Sequence, residues 1–416
     1  MNGIFVVFSI KKKIFMGYYK EKEIEDFSRG YSLPDENKCL CARHYKDVYL
    51  RRYVKKHSHK GVCSYCNKKT GVIPLSDFVE YTMDRIRQYY TTPDEDGLYL
   101  EKTFYDDDDE IIPSLKRVNG YVTRENAKTF DSVEELLEEI DLISDNEALD
   151  QDIQNCFLQE EWIQKDSVIR TVDEELTDLW REFTSMVIHQ RRFTFYMLPQ
   201  FDETYHSEEN GLQDILTEIS KSISDLGLYN TLQCKTTLYR CRYIDSKSEV
   251  KAFDDLTSPP NDKASENRMN PMGISMFYGA FDRDTAKEEA RDSAKKFCAI
   301  GEFNTKQELT ILDLTQLPEK SFWANHWQEL SFLQSFSRKI SKSIDEKSKY
   351  SYVPTQIFAE YIRYCCRHKG KKIDGIIYKS SKGVMSKNIV LFYDQKDSAN
   401  VLELKNFEIQ EILTCY

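Results

Sequence analysis

Gly375-Ile376-Ile377-Tyr378-Lys379-Ser380-Ser381, with Asn388-Ile389-Val390-Leu391-Phe392 a few residues on, decides how the C-terminal half folds. Each is a short apolar run rich in β-branched and aromatic residues, bounded by polar turn chemistry, which reads as a strand. Similar runs recur at Thr236 to Tyr239, Ser275 to Tyr278 and Leu309 to Leu314, with a few helical segments between them. Ser258-Pro259-Pro260-Asn261-Asp262 and Pro271-Met272-Gly273 mark rigid loops. From about Thr231 the chain is therefore expected to form an α+β domain over residues 231–416.

Upstream the periodicity is helical. Ser76 can cap a segment in which Val79, Met83, Ile86 and Tyr90 fall on one helix face. Ser132-Val133-Glu134-Glu135 reads as a capping box, with Val133, Leu136, Leu137 and Ile140 inward, and Thr171-Val172-Asp173-Glu174 as a second. Behind it Leu176, Leu179, Trp180, Phe183 and Val187 form a stripe that ends in His189-Gln190-Arg191-Arg192-Phe193. Leu212, Ile215, Leu216, Ile219, Ile223 and Leu226 give another amphipathic helix, closed near Gly227. Residues 76–228 are expected as one helical bundle, separable from the C-terminal domain near Gly227 to Thr231 because each side has its own apolar set.

The whole chain has 416 residues, 31% charged and 40% hydrophobic, with a formal net charge of −12. That composition excludes disorder throughout and supports two or three cores. Residues 231–416 carry 29 basic and 25 acidic side chains, which leaves residues 1–230 at net −16. An anionic ligand is expected in the basic half, and the overall acidity disfavours nucleic acid as a partner. Asp106-Asp107-Asp108-Asp109-Glu110 reads as a solvated loop. The longest early apolar stretch, Ile4 to Ile10, is far shorter than a membrane span requires. Met16 offers a second start, so residues 1–15 are read as an upstream extension of the reading frame rather than part of the fold, within an N-terminal extension over residues 1–30.

Eleven cysteines are an odd number, and four of them lie within residues 39–66. A reducing, cytoplasmic setting is expected. Cys41-Ala42-Arg43-His44 and Cys63-Ser64-Tyr65-Cys66 make two knuckles of the spacing that suits tetrahedral Zn2+. Cys41, His44, Cys63 and Cys66 are the expected ligands of a structural site in a zinc knuckle over residues 31–75. Cys39, His57 and His59 stand close enough in sequence to replace one of them.

Four segments of the C-terminal half share polar groups suited to phosphate and ribose. Leu238-Tyr239-Arg240-Cys241-Arg242 puts two guanidinium groups on one strand face, a clamp for pyrophosphate. Asn267-Arg268-Met269-Asn270 adds another Arg between amides, Phe277-Tyr278-Gly279-Ala280 ends a strand, and Glu289 follows eleven residues after Tyr278. Ser380 closes the set. In this order and spacing, together with Leu309-Thr310-Ile311-Leu312-Asp313-Leu314-Thr315 and Tyr352-Val353-Pro354-Thr355-Gln356, the chain resembles the RES domain from about residue 236 to 393. The family looks like a compact relative of ADP-ribosyltransferases that degrades NAD+ in toxin–antitoxin pairs.

The resemblance implies an ADP-ribosyltransferase-like fold, with a twisted β core and flanking helices. It implies catalytic roles for Glu289, Arg240, Tyr278 and Ser380, and NAD+ binding by Arg240, Arg268, Asn270, Tyr278 and Ser380. Asn267 stands where the family has Gly, and Glu288 adjoins Glu289, so either carboxylate fits the spacing. The N-terminal half resembles the zinc-bearing helical module found ahead of some RES domains and related to the HEPN fold, through its knuckles, Trp180-Arg181-Glu182-Phe183 and His189-x-x-Arg192-Phe193. HEPN ribonucleases use Arg, four to six residues, then His. Here Arg181 and His189 have seven between them, which argues against that activity.

The expected reaction is cleavage of the nicotinamide–ribose bond of NAD+ through an oxocarbenium-like transition state, by hydrolysis or phosphorolysis. A protein ADP-ribosyltransferase, a non-catalytic binding module and an HEPN-type ribonuclease are the competing classes. The nucleophile, the trigger, a neutralising antitoxin or sensing partner bound through the N-terminal half, and a homodimer are left open.

Overall fold

The computed structural model describes residues 24–34, 37–93, 115–118, 121–124, 127–165, 172–196, 214–342, 350–383 and 386–412, so Asp106–Glu110, Thr171, Leu212 and residues 1–16 lie outside the described residues. The chain divides into two compact units. One comprises residues 1–171 with Ser321–Trp327, the other Val172–Lys320 with Gln328–Tyr416.

In the second unit the expected strands join into one eight-stranded sheet. Its spatial order is Leu402–Glu411, Phe297–Thr305, Thr237–Ile244, Phe277–Ala280, Lys387–Leu391, Gly375–Lys379, Leu309–Asp313 and Tyr229–Leu232. Every pairing is antiparallel except that of Leu309–Asp313 with Gly375–Lys379. Ile376, Tyr378 and Val390 enter one core, and Ile377, Ile389 and Leu391 another on the opposite face. Burial on both faces is why these strands read as continuous apolar runs rather than alternating ones. Gly375 sits where any Cβ would stand 2.2 Å from the Val390 carbonyl oxygen, so only glycine permits this approach of two strands.

The helices expected to complete the N-terminal bundle belong to this second unit. Val172–His189 and Ile215–Asp225 form with the anticipated inward faces, and the latter closes at Gly227 with φ +64°. Leu176, Trp180, Phe183, Val187, Ile215, Ile219 and Ile223 pack in one core with Phe332, Phe336, Phe358 and Ile376. The stretch 76–228 is thus divided between the two units. Periodicity fixes which face is buried, but not what it is buried against.

The first unit combines short helices with small sheets. Leu75–Tyr89 starts from Pro74 without a side-chain cap, and Ser76 bonds Asp77 instead of the backbone. Ser132 does cap Val133–Glu139 by accepting from the Glu135 amide, while Glu135 accepts from the Asp131 amide. Phe322 and Trp323 join this unit's core with Leu40, Phe78, Ile86 and Leu136. Arg85 holds them there, donating to the carbonyls of Phe322 and Ala324 at 2.7–3.1 Å.

Candidate active site and metal centre

A cleft of about 320 Å³ opens on one face of the large sheet. Its floor is a single row of registered residues, Tyr239 opposite Ala280, Ala280 opposite Asn388, and Asn388 opposite Tyr378. Facing residues in register share a sheet face, so four strands deliver these side chains together. The strands Thr237–Ile244 and Phe277–Ala280 share only that one registered pair, and the sheet opens beside it. Arg240 ties the opening, donating from Nη1 to the Tyr278 carbonyl at 2.7 Å with its guanidinium 5.6 Å from the Phe277 ring centre.

Glu289 closes the helix Arg283–Glu289, which Asp282 caps at the other end through the Thr285 amide. A carboxylate at a helix C-terminus meets the negative end of the macrodipole and needs donors elsewhere. Ser380 Oγ and Asn388 Nδ2 supply them, both to Oε1, the latter at 2.8 Å, and the Lys382 amide donates to Ser380 Oγ at 3.0 Å. Among the described residues nothing donates to Oε2. Glu288 points elsewhere, as one helical step of about 100° requires, and pairs with Arg291 at 3.3 Å.

Arg268 lines the cleft from the other side, between the rings of Tyr352 and Tyr378, each 5.8 Å away. Its Nη1 donates to the carbonyls of Ile340 and Lys342, at the end of the helix Trp327–Ser341. Guanidinium groups suit such unsatisfied terminal carbonyls. A second cavity of about 360 Å³, walled by Trp180, Phe336, Ile340 and Pro354 among others, shares Arg268 and Tyr352 with the cleft.

Neither Arg240 nor Arg268 has a carboxylate partner among the described residues. Burial lowers Arg240 to about 10, against a smaller upward pull from Tyr278, so it remains a cation at neutral pH. Tyr278 is raised well above its usual range, mainly by burial and then by Tyr378, and burial likewise raises Tyr378. The cleft therefore holds two cations, neutral phenols and one hydrogen-bonded carboxylate.

Arg240, Arg268, Tyr278 and Glu289 thus come together. Three sequence expectations are placed differently. Arg242 does not join Arg240 in a clamp, because its guanidinium is drawn to Glu249 at 3.7 Å and the Asp255 carbonyl at 3.1 Å. Asn270 lies behind the cleft. Its Nδ2 donates to the carbonyls of Ser265, Pro271 and Ile274 at 2.8–3.0 Å, and its Oδ1 accepts from the Tyr278 hydroxyl at 2.7 Å. Ser380 reaches Glu289 rather than open cleft. Asn388 reads in the sequence only as part of a strand, although a buried Asn in an apolar run is itself a signal. Thr355 and Gln356 staple the loop from outside, donating to the carbonyls of Arg268, Asn267 and Asn270 at 2.6–3.1 Å. Cys241 and Cys298 bring their sulfurs together across neighbouring strands beside the cleft.

In the first unit Cys41, His44, Cys63 and Cys66 present ligand atoms within 4.8 Å of one another. Zinc–sulfur bonds of about 2.3 Å in a tetrahedron set sulfurs roughly 3.8 Å apart, and the Cys41 and Cys66 sulfurs are 3.8 Å apart. Cys63 opens a tight turn that Asn67 completes at φ +56°. Burial would raise its thiol, but amide donation from Tyr65 and Cys66 and the contact with His44 outweigh it and bring it to about 7. The donor set fits a thiophilic cation. His44 faces the cluster through Nε2, 3.3 Å from the Cys63 sulfur, and turns Nδ1 to Asp145 at 2.6 Å. Cys39, His57 and His59 stand outside the cluster.

Arg181 and His189 are not brought together. Eight residues on a helix separate them by about 12 Å along its axis, and Arg181 pairs with Asp178 at 2.9 Å. Among the described residues no helix is long and apolar enough to cross a membrane.

The family model described as RES domain matches residues 237–409, which include every residue of the cleft. The one described as HEPN/RES N-terminal domain 1 matches residues 56–200, leaving Cys41 and His44 ahead of it and crossing from one compact unit into the other. No curated protein matches the chain.

Proposed function

We propose, from the premise that this chain joins an HEPN/RES N-terminal domain 1 to a RES domain, that its C-terminal cleft consumes NAD+ by breaking the nicotinamide–ribose bond. The observation that supports this reading most is Glu289, whose Oε1 takes both donors while Oε2 takes none among the described residues, in a cleft with two guanidinium groups that have no carboxylate partner among those residues.

Nicotinamide is already cationic in NAD+ and leaves neutral, taking the electron pair of the C–N bond, so no general acid is needed. Positive charge grows at the anomeric carbon. A fixed carboxylate is worth most at that moment, because its attraction to the carbon strengthens only as the bond breaks. Ser380 and Asn388 hold Glu289 in place beforehand. Arg240 and Arg268 balance the pyrophosphate, and the tyrosines wall the heterocycle. Water at the anomeric carbon gives ADP-ribose and a proton, phosphate gives ADP-ribose phosphate, and a protein side chain gives an ADP-ribosylated acceptor.

Two finer readings belong with this one. The opening beside Tyr239 and Ala280 supports an ADP-ribosyltransferase-like sheet. The cysteine–histidine cluster would hold one structural Zn2+, which fixes the knuckle and leaves no position for substrate. Toxin or defence activity, with a partner engaging the N-terminal unit, follows from the same resemblance. The test is to incubate pure protein with NAD+, with and without phosphate, and identify products by mass. Free nicotinamide in equal amount to the NAD+ lost supports the reading, and intact NAD+ in both reactions defeats it.

A further inference from the structure

Residues 38–69 carry ten lysines and arginines against one acid, Asp47, in a chain whose net charge is −12. Lys38 pairs with Asp152 at 2.7 Å. The other nine, Arg43, Lys46, Arg51, Arg52, Lys55, Lys56, Lys60, Lys68 and Lys69, are all exposed, and among the described residues none has a carboxylate partner.

The helix Val48–His57 shows how the charge is presented. Asp47 caps it by accepting from the amides of Tyr49 and Leu50, and Leu50 and Val54 bury its inner face. Arg51, Arg52, Lys55 and Lys56 then line one open depression on the outer face, with Val48 at its edge. Arg51 with Lys55, and Arg52 with Lys56, are like charges four residues apart, which destabilise a helix. No acid within the helix relieves them. A fold that only had to be soluble gains nothing from this spacing.

We infer that the knuckle is a nucleic-acid-binding surface, its cations engaging the phosphodiester backbone without base readout. Net charge misleads the sequence reading on this point because it averages over a segregated molecule, whereas phosphate neutralisation depends on the local array. Six of the nine cations are lysines, a residue depleted from protein interfaces and abundant on nucleic-acid-binding ones. Val48 and Val62 are the large apolar side chains exposed on the segment, too little for a hydrophobic anchor. The inference is independent of the reaction proposed for the cleft.

Fluorescence anisotropy of the full-length, zinc-loaded protein with a labelled single-stranded RNA and a DNA duplex tests it, from about 50 mM salt upward. The expected result is saturable binding whose log affinity falls linearly with log salt. R51Q/R52Q/K55Q/K56Q keeps helix propensity, and should weaken binding at least tenfold and flatten the salt slope by roughly 0.7–0.9 for each phosphate left without its cation. Zinc content and circular dichroism must match the parent, and K247Q/K251Q serves as an exposed control with parental binding. No binding to either probe overturns the inference, as does equal binding by the quadruple variant. Binding to poly-L-glutamate or to phosphatidylserine vesicles as tight as to RNA overturns it too, and reassigns the surface to an acidic protein or a membrane.

Discussion

Glu289 and Glu288 are indistinguishable by type and adjacent in sequence, yet they occupy opposite circumstances. One is held by Ser380 and Asn388 in the cleft, the other pairs with Arg291 outside it. Under the proposed reaction Glu289→Gln lowers turnover about a hundredfold or more, with little change in NAD+ affinity, because only the transition state carries the cation it faces. Glu288→Gln keeps parental turnover. Asn388→Ala, which removes one charge-assisted donor, lowers turnover by about tenfold. Full activity in Glu289→Gln sinks the assignment. Arg240→Ala should act mainly on KM, since pyrophosphate is charged throughout the reaction, and steady-state kinetics separate the two patterns. With Arg240 lowered to about 10, its contribution persists below that pH and fades only as pH rises through it. Asp145 is the counterpart in the candidate metal centre. Asp145→Asn should weaken zinc by about ten- to a hundredfold in chelator competition, because it orients the His44 ring; unchanged affinity would reduce the contact to packing.

Elements tell a similar story of signals that need a partner to be understood. Leu402 and Leu404 alternate inward, and Phe407 and Ile409 do so again one residue out of phase. That slip is a β-bulge, since Glu302 pairs with Asn406 while Phe303 pairs with Leu404, leaving Lys405 unmatched. The strand Leu402–Glu411 is illegible in the sequence for this reason, because a broken alternation reads as loop until its neighbour, Phe297–Thr305, is known. The knuckle's hairpin, His59–Val62 with Lys69–Pro74, is illegible there too. Its exposed lysines carry no strand pattern, and the zinc proposed at the cysteine–histidine cluster would hold it. Removing zinc, or substituting Cys63→Ser, should therefore lower the melting temperature and release amide protection across residues 39–74. Hydrogen exchange that shows parental protection there would mean that the hairpin stands without metal.

The whole molecule is less simply partitioned than two halves in series. The chain passes between units at residues 171–172, again at 320–321, and returns at 327–328. A chain beginning at Thr231 lacks Leu176, Trp180, Phe183, Ile215, Ile219 and Ile223, and so leaves Phe332, Phe336 and Phe358 uncovered. Each such side chain is worth roughly 1.5–3 kcal/mol when buried. That chain should show no cooperative melt, whereas one beginning at Val172 should melt cooperatively by circular dichroism. A cooperative transition in the shorter chain would show the two helices to be dispensable. The junction drawn at Gly227 to Thr231 follows a change of texture, from helical to strand periods, and that change is real. It marks where the local rule switches, not where the core ends.

The sequence alone determined what depends on short range. Helix faces, the central strands and the knuckle pairs are carried by spacing within a few dozen residues, and Arg240, Arg268, Tyr278, Glu289 and Ser380 by short local motifs in a fixed order along the chain. Tertiary structure decided which partner each group meets. It spent Asn270 on a loop and Arg242 on Glu249, set Ser380 and Asn388 on one carboxylate oxygen, and gathered two helices onto the C-terminal sheet. The physical reason is that hydrogen bonds and apolar burial are satisfied by whatever the fold brings within a few ångströms. Periodicity along a chain specifies the face a residue shows and leaves unspecified the surface that will meet it.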